Sequence, residues 1–136
     1  MSEPRPHLGN VQALHRLRVL VVARDRRFQR MAGFMLTRVG LHVSTLRTET
    51  DVLPAIDRLR PDIVVLDGSE SLSDAARTAA SIEAMEPRTT VVLVADDDAI
   101  PDVTTLEVYP KWKSFASLAA NLERMHLGIV EIEAEG

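Results

Sequence analysis

The stretch LRVLVVARDRRFQRMAGFMLTRVGLHVSTL, residues 17–46, changes its hydrophobic period twice. Leu17 to Ala23, apolar apart from Arg18, is too short for a helix, and it reads as a strand buried on both faces. From Phe28 onward the apolar residues recur at helical spacing. Phe28, Met31, Ala32, Met35, Leu36 and Val39 fall on one face, and Gly40 supplies the stop. Leu41–Leu46 then reads as strand again. Strand, helix, strand in so short a span is a parallel βαβ unit.

Working outward, the same alternation continues. Asp62–Leu66, Thr90–Ala95 and Leu106–Tyr109 are further strand candidates. Val52, Ala55, Ile56 and Leu59 form a second helical stripe, closed before Pro61. An Ala-rich helix is predicted from about Ser73 to Met85, and Phe115, Leu118, Ala119, Leu122 and Met125 mark a last one. The pattern predicts an α/β domain over residues 17–126, a five-stranded parallel sheet with helices on both faces. Residues 1–16 are an N-terminal extension and 127–136 a C-terminal tail. In that tail Val130, Glu131, Ile132, Glu133, Ala134 and Glu135 alternate apolar with acidic. Period two suits an extra, half-buried strand on a sheet edge of this or a neighbouring chain; a disordered acidic tail is the other reading.

Composition excludes several function classes. At 136 residues the chain makes one domain. It has no cysteine, so disulfides, thiolate nucleophiles and zinc-thiolate sites are ruled out. No apolar run nears the ~20 residues of a membrane span, and MSEPRPH lacks the apolar core of a signal peptide, so a soluble, cytoplasmic protein without membrane contact is expected. His7, His15, His42 and His126 are dispersed, with no Ser-His-Asp order, HExxH or glycine-rich phosphate loop. Neither enzymatic activity nor a cofactor is expected. The net charge of -4 hides an asymmetry: residues 1–47 hold nine Arg against two acids, while residues 48–136 hold seven Lys or Arg against eighteen acids. Such a division suits an acidic partner on a basic face.

In a parallel sheet, ligands and chemistry sit at the carboxyl ends of the strands. The residues delivered there are Ala23, Arg24 and Asp25, then Asp67, then Ala95 and Asp96, then Pro110 and Lys111. With these in place, the span from Leu17 to Met125 resembles the receiver domain of bacterial two-component response regulators. PDIVVLD (61–67) resembles the strand that ends in the phosphoacceptor aspartate, Lys111 in VYPKW matches the family's lysine, and GLHV (40–43) fits the entry to its second strand. The resemblance implies a flavodoxin-like, CheY-like fold, a phosphoacceptor-like Asp67, switch-like positions at Ala95 and Lys111, and a signalling partner such as a histidine kinase or regulator.

The departures from that family redirect the functional reading. Receivers place two acids after the first strand to hold magnesium; here the acidic-pocket equivalents are Ala23 and Arg24, with Asp25 beside them. Magnesium asks for octahedral oxygen ligands, and phosphoryl transfer depends on that metal. Ala95 replaces the hydroxyl that senses an acyl phosphate, and Gly68, Ser69 and Glu70 replace a Met-Pro turn. The segment from Ala95 to Lys111 is short and interrupted by Pro101, so the fourth helix is expected to be short or missing. Asp67 is expected to pair with Arg24, Lys111 or both, so that a side chain gives permanently the charge that a metal gives transiently. The bland counterparts are that Asp67 caps a turn, that Lys111 is a solvated lysine, and that Asp96–Asp98 is a solvated loop rather than a set of substitute metal ligands.

Two surface features suggest contact with another protein. Opposite the core stripe of the first helix project Arg26, Arg27, Arg30 and Arg38, with Phe34 among them, a composition typical of interfaces. Trp112, between Lys111 and Lys113, is the second anchor candidate. A homodimer is left open, and the acidic remainder weighs against nucleic acid. The leading expectation is a stand-alone interaction module, a pseudo-receiver working without metal-dependent phosphorylation. The alternatives are a functional single-domain regulator phosphorylated on Asp67, and a small-molecule-binding flavodoxin-like domain.

Overall fold

The computed structural model describes residues 17–48, 51–85, 89–101, 107–112 and 115–124. The N-terminal extension and the C-terminal tail lie outside the described residues. Five strands are present: β1 (Arg18–Val22), β2 (His42–Leu46), β3 (Ile63–Asp67), β4 (Thr90–Ala95) and β5 (Val108–Pro110). Between them run α1 (Arg26–Arg38), α2 (Val52–Leu59) and α3 (Leu72–Glu83), and a last helix, α4, covers residues 115–124. All pairings are parallel, in the order β2-β1-β3-β4-β5. The expected α/β sheet with helices on both faces is therefore present.

Strand β1 shows why the aliphatic run reads as it does. Alternate side chains enter opposite cores, so both faces must be apolar. Val19, Val21 and Ala23 pack with Phe28, Ala32 and Leu36 of α1 and with Phe115, Leu118 and Leu122 of α4. Leu20 and Val22 pack with Val52 and Ile56 of α2 and Ala75 and Ile82 of α3. Leu20 is fully buried, so truncation to Ala would cost ~2–5 kcal/mol.

Local signals set the helix ends. Asp25 is the N-cap of α1, and Gly40 takes φ 94° in the turn to β2, a conformation that favours glycine. Helix α2 closes with Arg60 left-handed at φ 53°, immediately before Pro61. Helix α3 spans Leu72–Glu83: it starts one residue earlier than the pattern suggested, because Ser71 accepts the Asp74 N–H and caps it, and it stops two residues earlier. Among the described residues between β4 and β5, the only helical element is the 3₁₀ turn Asp97–Ala99, in keeping with a curtailed fourth helix.

Candidate functional site

The strand order reverses between β1 and β3, each flanked by a strand reached in the opposite direction, and this opens a crevice beyond their carboxyl ends. A cavity of about 430 Å³ occupies it, lined among others by Ala23, Arg24, Asp67, Ser69, Asp96 and Lys111. The strands thus bring Ala23, Arg24, Asp67, Asp96 and Lys111, which the sequence singled out, to one cavity.

At its centre is an ion pair. Asp67 ends β3, and Lys111 follows β5, with its backbone N–H donating to Ala95 O at 2.9 Å. Lys111 Nζ donates to Asp67 Oδ2 at 2.6 Å, and the two side chains are only 2% and 8% exposed. The ammonium lies 3.6 Å from Asp96 Oδ1 as well, and 5.1 Å and 5.7 Å from the ring centroids of Phe28 and Trp112. A buried ammonium is tolerated only when paired, and here carboxylates and π-faces both compensate it. The alternative of a solvated Lys111 does not hold.

The second oxygen of Asp67 is also engaged. Asp67 Oδ1 accepts from Ser69 N at 3.0 Å and from Ser69 Oγ at 2.6 Å, and Ser69 Oγ in turn accepts from Asp96 N at 3.0 Å. The turn-capping reading of Asp67 and the ion-pair reading are both realised, one on each oxygen. Ser69 was not singled out as a site residue; its position two residues after Asp67 is the spacing of an Asx turn, which was the available signal. Gly68 lets the turn pass under α3, since a Cβ there would meet Leu72 Cδ2 at 3.0 Å and Ala75 Cβ at 3.1 Å.

The expected Arg24–Asp67 pair is corrected. Ala23 is buried in the core, and Arg24, one residue on, points outward. Its Nη1 meets Glu70 Oε2 at 3.3 Å, with both side chains about two-thirds or more exposed. Alternation along the chain decides this: the inward position holds a methyl group, and the guanidinium begins outside while Lys111 fills the interior place. Asp25 Oδ1 accepts from Arg27 N at 2.9 Å and Phe28 N at 3.3 Å, which commits that carboxylate to capping α1.

These donors do not fit the magnesium ion that receiver domains hold. Mg²⁺ wants near-octahedral oxygens and relies on carboxylates. The end of β1 offers a buried methyl, an outward guanidinium and a capping carboxylate, while both Asp67 oxygens have protein donors. Among the described residues no group of three or more His, Cys, Asp or Glu could hold a metal ion.

The Asp96–Asp98 stretch is neither wholly solvated nor a ligand cluster. Asp96 Oδ1 accepts from Trp112 Nε1 at 3.0 Å, and Asp97–Ala99 form the 3₁₀ turn. Trp112 is 39% exposed and packs edge-on against Phe28 at 5.8 Å, so one side is anchored and the other faces solvent. Ala95 is fully buried beneath the site. Phe34 is 63% exposed on α1, where Arg38 lies 5.6 Å from its ring centroid, and Arg27 lies 5.6 Å from that of Trp112. Arg30 is exposed on the same side of the helix.

No family model matches the chain, and no curated protein matches it in sequence. Solved structures do match in fold. The signal receiver domain of a protein described as a Luxo repressor, from Vibrio parahaemolyticus, is 17% identical with a TM-score of 0.63, covering 88% of this chain and 95% of that one. A CheY-like response regulator receiver domain from Methylobacillus flagellatus is 18% identical, with a TM-score of 0.63 over 84% and 98%. A structure described as a transiently phosphorylated "switch" in bacterial signal transduction is 21% identical, with a TM-score of 0.63 over 84% and 97%. The architecture is that of response regulator receiver domains, and at these identities the likeness is one of fold. No described helix is long and apolar enough to cross a membrane.

Proposed function

We propose that this protein is a signalling module of receiver architecture that acts by contact with a protein partner, without metal-dependent phosphoryl transfer and without catalysis of its own. The observation that carries this reading is the state of Asp67: both carboxylate oxygens are held by the chain's own donors, Lys111 and Ser69, inside a largely buried site. A phosphoryl donor would have to displace Ser69 or Lys111, and among the described residues no group of three or more His, Cys, Asp or Glu is placed to hold a divalent ion. Ala95 in place of a hydroxyl supports the same reading, because no side-chain donor there would respond to a modified Asp67.

A receiver of this kind transmits through a standing surface. The faces that suit contact are Phe34 with its arginines on α1, and the half-exposed Trp112 beside the site. A histidine kinase, a regulator or another signalling protein is the class of partner, and an acidic docking face would complement the arginines.

The test is incubation with a small acyl-phosphate donor and magnesium, followed by intact-mass and peptide mass spectrometry, with magnesium calorimetry in parallel. The expected result is an unmodified Asp67 and no saturable magnesium heat. A stoichiometric phosphoryl adduct on Asp67 would replace this reading with that of a working phosphoacceptor, for which the Asp67–Lys111 juxtaposition is the supporting observation.

A further inference from the structure

At the end of the sheet remote from Asp67, a second cavity of about 210 Å³ opens between β1, β2 and the last turn of α2. Arg18 and His42 are the first residues of their strands and are paired in register, and Ser44 pairs with Leu20. Leu20 packs toward α2, and residues two apart in a strand share a face. Arg18, His42 and Ser44 therefore all point to the α2 side of the sheet. Arg58 and Leu59 of α2 and Pro61 of the following turn complete the wall.

The lining is chemically one-sided. Its polar side chains are two guanidiniums, an imidazole and a hydroxyl, delivered by three separate elements, with no carboxylate among them. Among the described residues none of Arg18, His42 and Arg58 has a carboxylate partner. The Arg18 backbone N–H donates to Asp62 Oδ2 at 2.9 Å, but neither Asp62 nor Asp57, which precedes Arg58, lines the cavity. Local duties account for only part of the set. Arg18 Nη1 donates to Leu59 O at 3.4 Å, a single long bond from a group with several donors, and Arg58 suits the carboxyl end of α2. Solvation is the ordinary fate of a basic side chain, yet these donors converge on a concavity. The carboxyl end of α2 opposes an anion with about half a unit charge, and the two guanidiniums outweigh it.

We propose that this cavity binds a small phosphate monoester, its dianionic phosphoryl group held between Arg18 and Arg58 with His42 and Ser44 as additional donors, and its organic stem against Leu59 and Pro61. Charge selects the class: two guanidiniums and no acid match a dianion, whereas a single carboxylate leaves one of them unmatched. Size limits the stem. At about 210 Å³ the cavity falls below the ~300–1,000 Å³ of sites for drug-sized ligands, so the phosphoryl group carries only a short one. Strand β2 is a sheet edge, which leaves the cavity a way in from solvent. A ligand here ties β1, β2 and α2 together without touching Asp67, and supplies a small-molecule input separate from the crevice.

The test is a titration of the full chain with methyl phosphate and with inorganic phosphate, read from amide spectra at an ionic strength held constant with chloride. The expected result is a saturable shift centred on Arg18, His42, Ser44 and Arg58, with half-saturation at ~1–10 mM. Arg58→Gln should raise that concentration by ~10-fold or more, since it removes a hydrogen bond between charged groups. Arg60→Gln, an exposed neighbour outside the cavity, should leave it unchanged. Both arginines are exposed, so the variants keep the fold, which their spectra away from the cavity check. Equal weakening by the two variants would overturn the proposal in favour of a diffuse basic surface. Shifts that never saturate, or that centre on the crevice or on the arginines of α1, would overturn it as well. Methyl phosphate binding far more weakly than inorganic phosphate would overturn the monoester assignment. The phosphodonor assay reads Asp67 at the other end of the sheet, so failure of this site and failure of the pseudo-receiver reading are separable.

Discussion

Replacing Lys111 with Met tests the ion pair at the centre of the site. The substitution keeps the length and apolar stem of the side chain but removes the ammonium, so little cavity is made. What remains is Asp67, with its side chain 8% exposed and Oδ2 without its donor at 2.6 Å, supported only by the two Ser69 bonds on Oδ1. Removing one partner of a buried pair typically costs ~3–5 kcal/mol. Because Ser69 still stabilises the carboxylate, the lower end applies, ~3 kcal/mol. With a urea m-value of ~1.5 kcal/mol/M, within the range for small domains, the midpoint falls by ~2 M. Domain stabilities run at ~5–15 kcal/mol, so the variant remains folded in water. Asp67→Asn alone should also lower the midpoint, since it leaves the ammonium facing an amide with only Asp96 at 3.6 Å. The double variant Lys111→Met/Asp67→Asn should lose less than the sum of the two singles by more than ~1 kcal/mol, the sign of a shared interaction. A Lys111→Met midpoint within ~0.5 kcal/mol of the parent, or an Asp67→Asn midpoint above it, would refute the locked pair.

Further outcomes follow from the same geometry. Asp25→Ala should lower stability by ~1 kcal/mol on urea unfolding through the lost cap of α1, with no change in any magnesium response. Gly68→Ala should cost ~1–3 kcal/mol by overpacking against Leu72 and Ala75, read as a lower thermal midpoint. Arg24→Ala should change stability by no more than ~1 kcal/mol, because its pair with Glu70 is exposed; a larger loss would mean that the guanidinium reaches the buried carboxylate after all. Tyr109 is the only tyrosine, and partial burial, followed by the neighbouring Glu107 carboxylate that accepts its hydroxyl, raises its pKa above 10.0. The folded phenol holds its proton where the unfolded one has lost it, so this contribution to stability is full below pH 10.0 and disappears as pH rises through the folded value. An ultraviolet titration should place the folded transition above that of the urea-unfolded chain.

How much of this was legible beforehand depended on the range of the interaction involved. Period and stop signals reach only a few residues, and they were enough for β1, α1 and β2, for the closing of α2 before Pro61, and for the parallel alternation as a whole. Boundaries slipped where a cap decided them: Ser71 starts α3 one residue before the expected Ser73 region. Asp67 and Lys111 stood out as strand-end residues, and the chain order of a parallel sheet was sufficient to bring them to one crevice. Their partners were another matter. Whether Asp67 met Arg24 or Lys111 turned on which side chain pointed inward at that depth of the sheet, and the inward place after β1 belonged to Ala23. Ser69 lay two residues from Asp67 with the spacing of a side-chain turn, yet its bridge to the Asp96 N–H spans twenty-seven residues and exists only once β3 and β4 are paired. The sequence by itself determined the elements, their order and the absence of the expected acids after the first strand, because these are written in single residues and short periods. Tertiary structure alone decided which charges are buried together, because burial, and with it the energy of a pair, is a property of the packed strands and not of either residue.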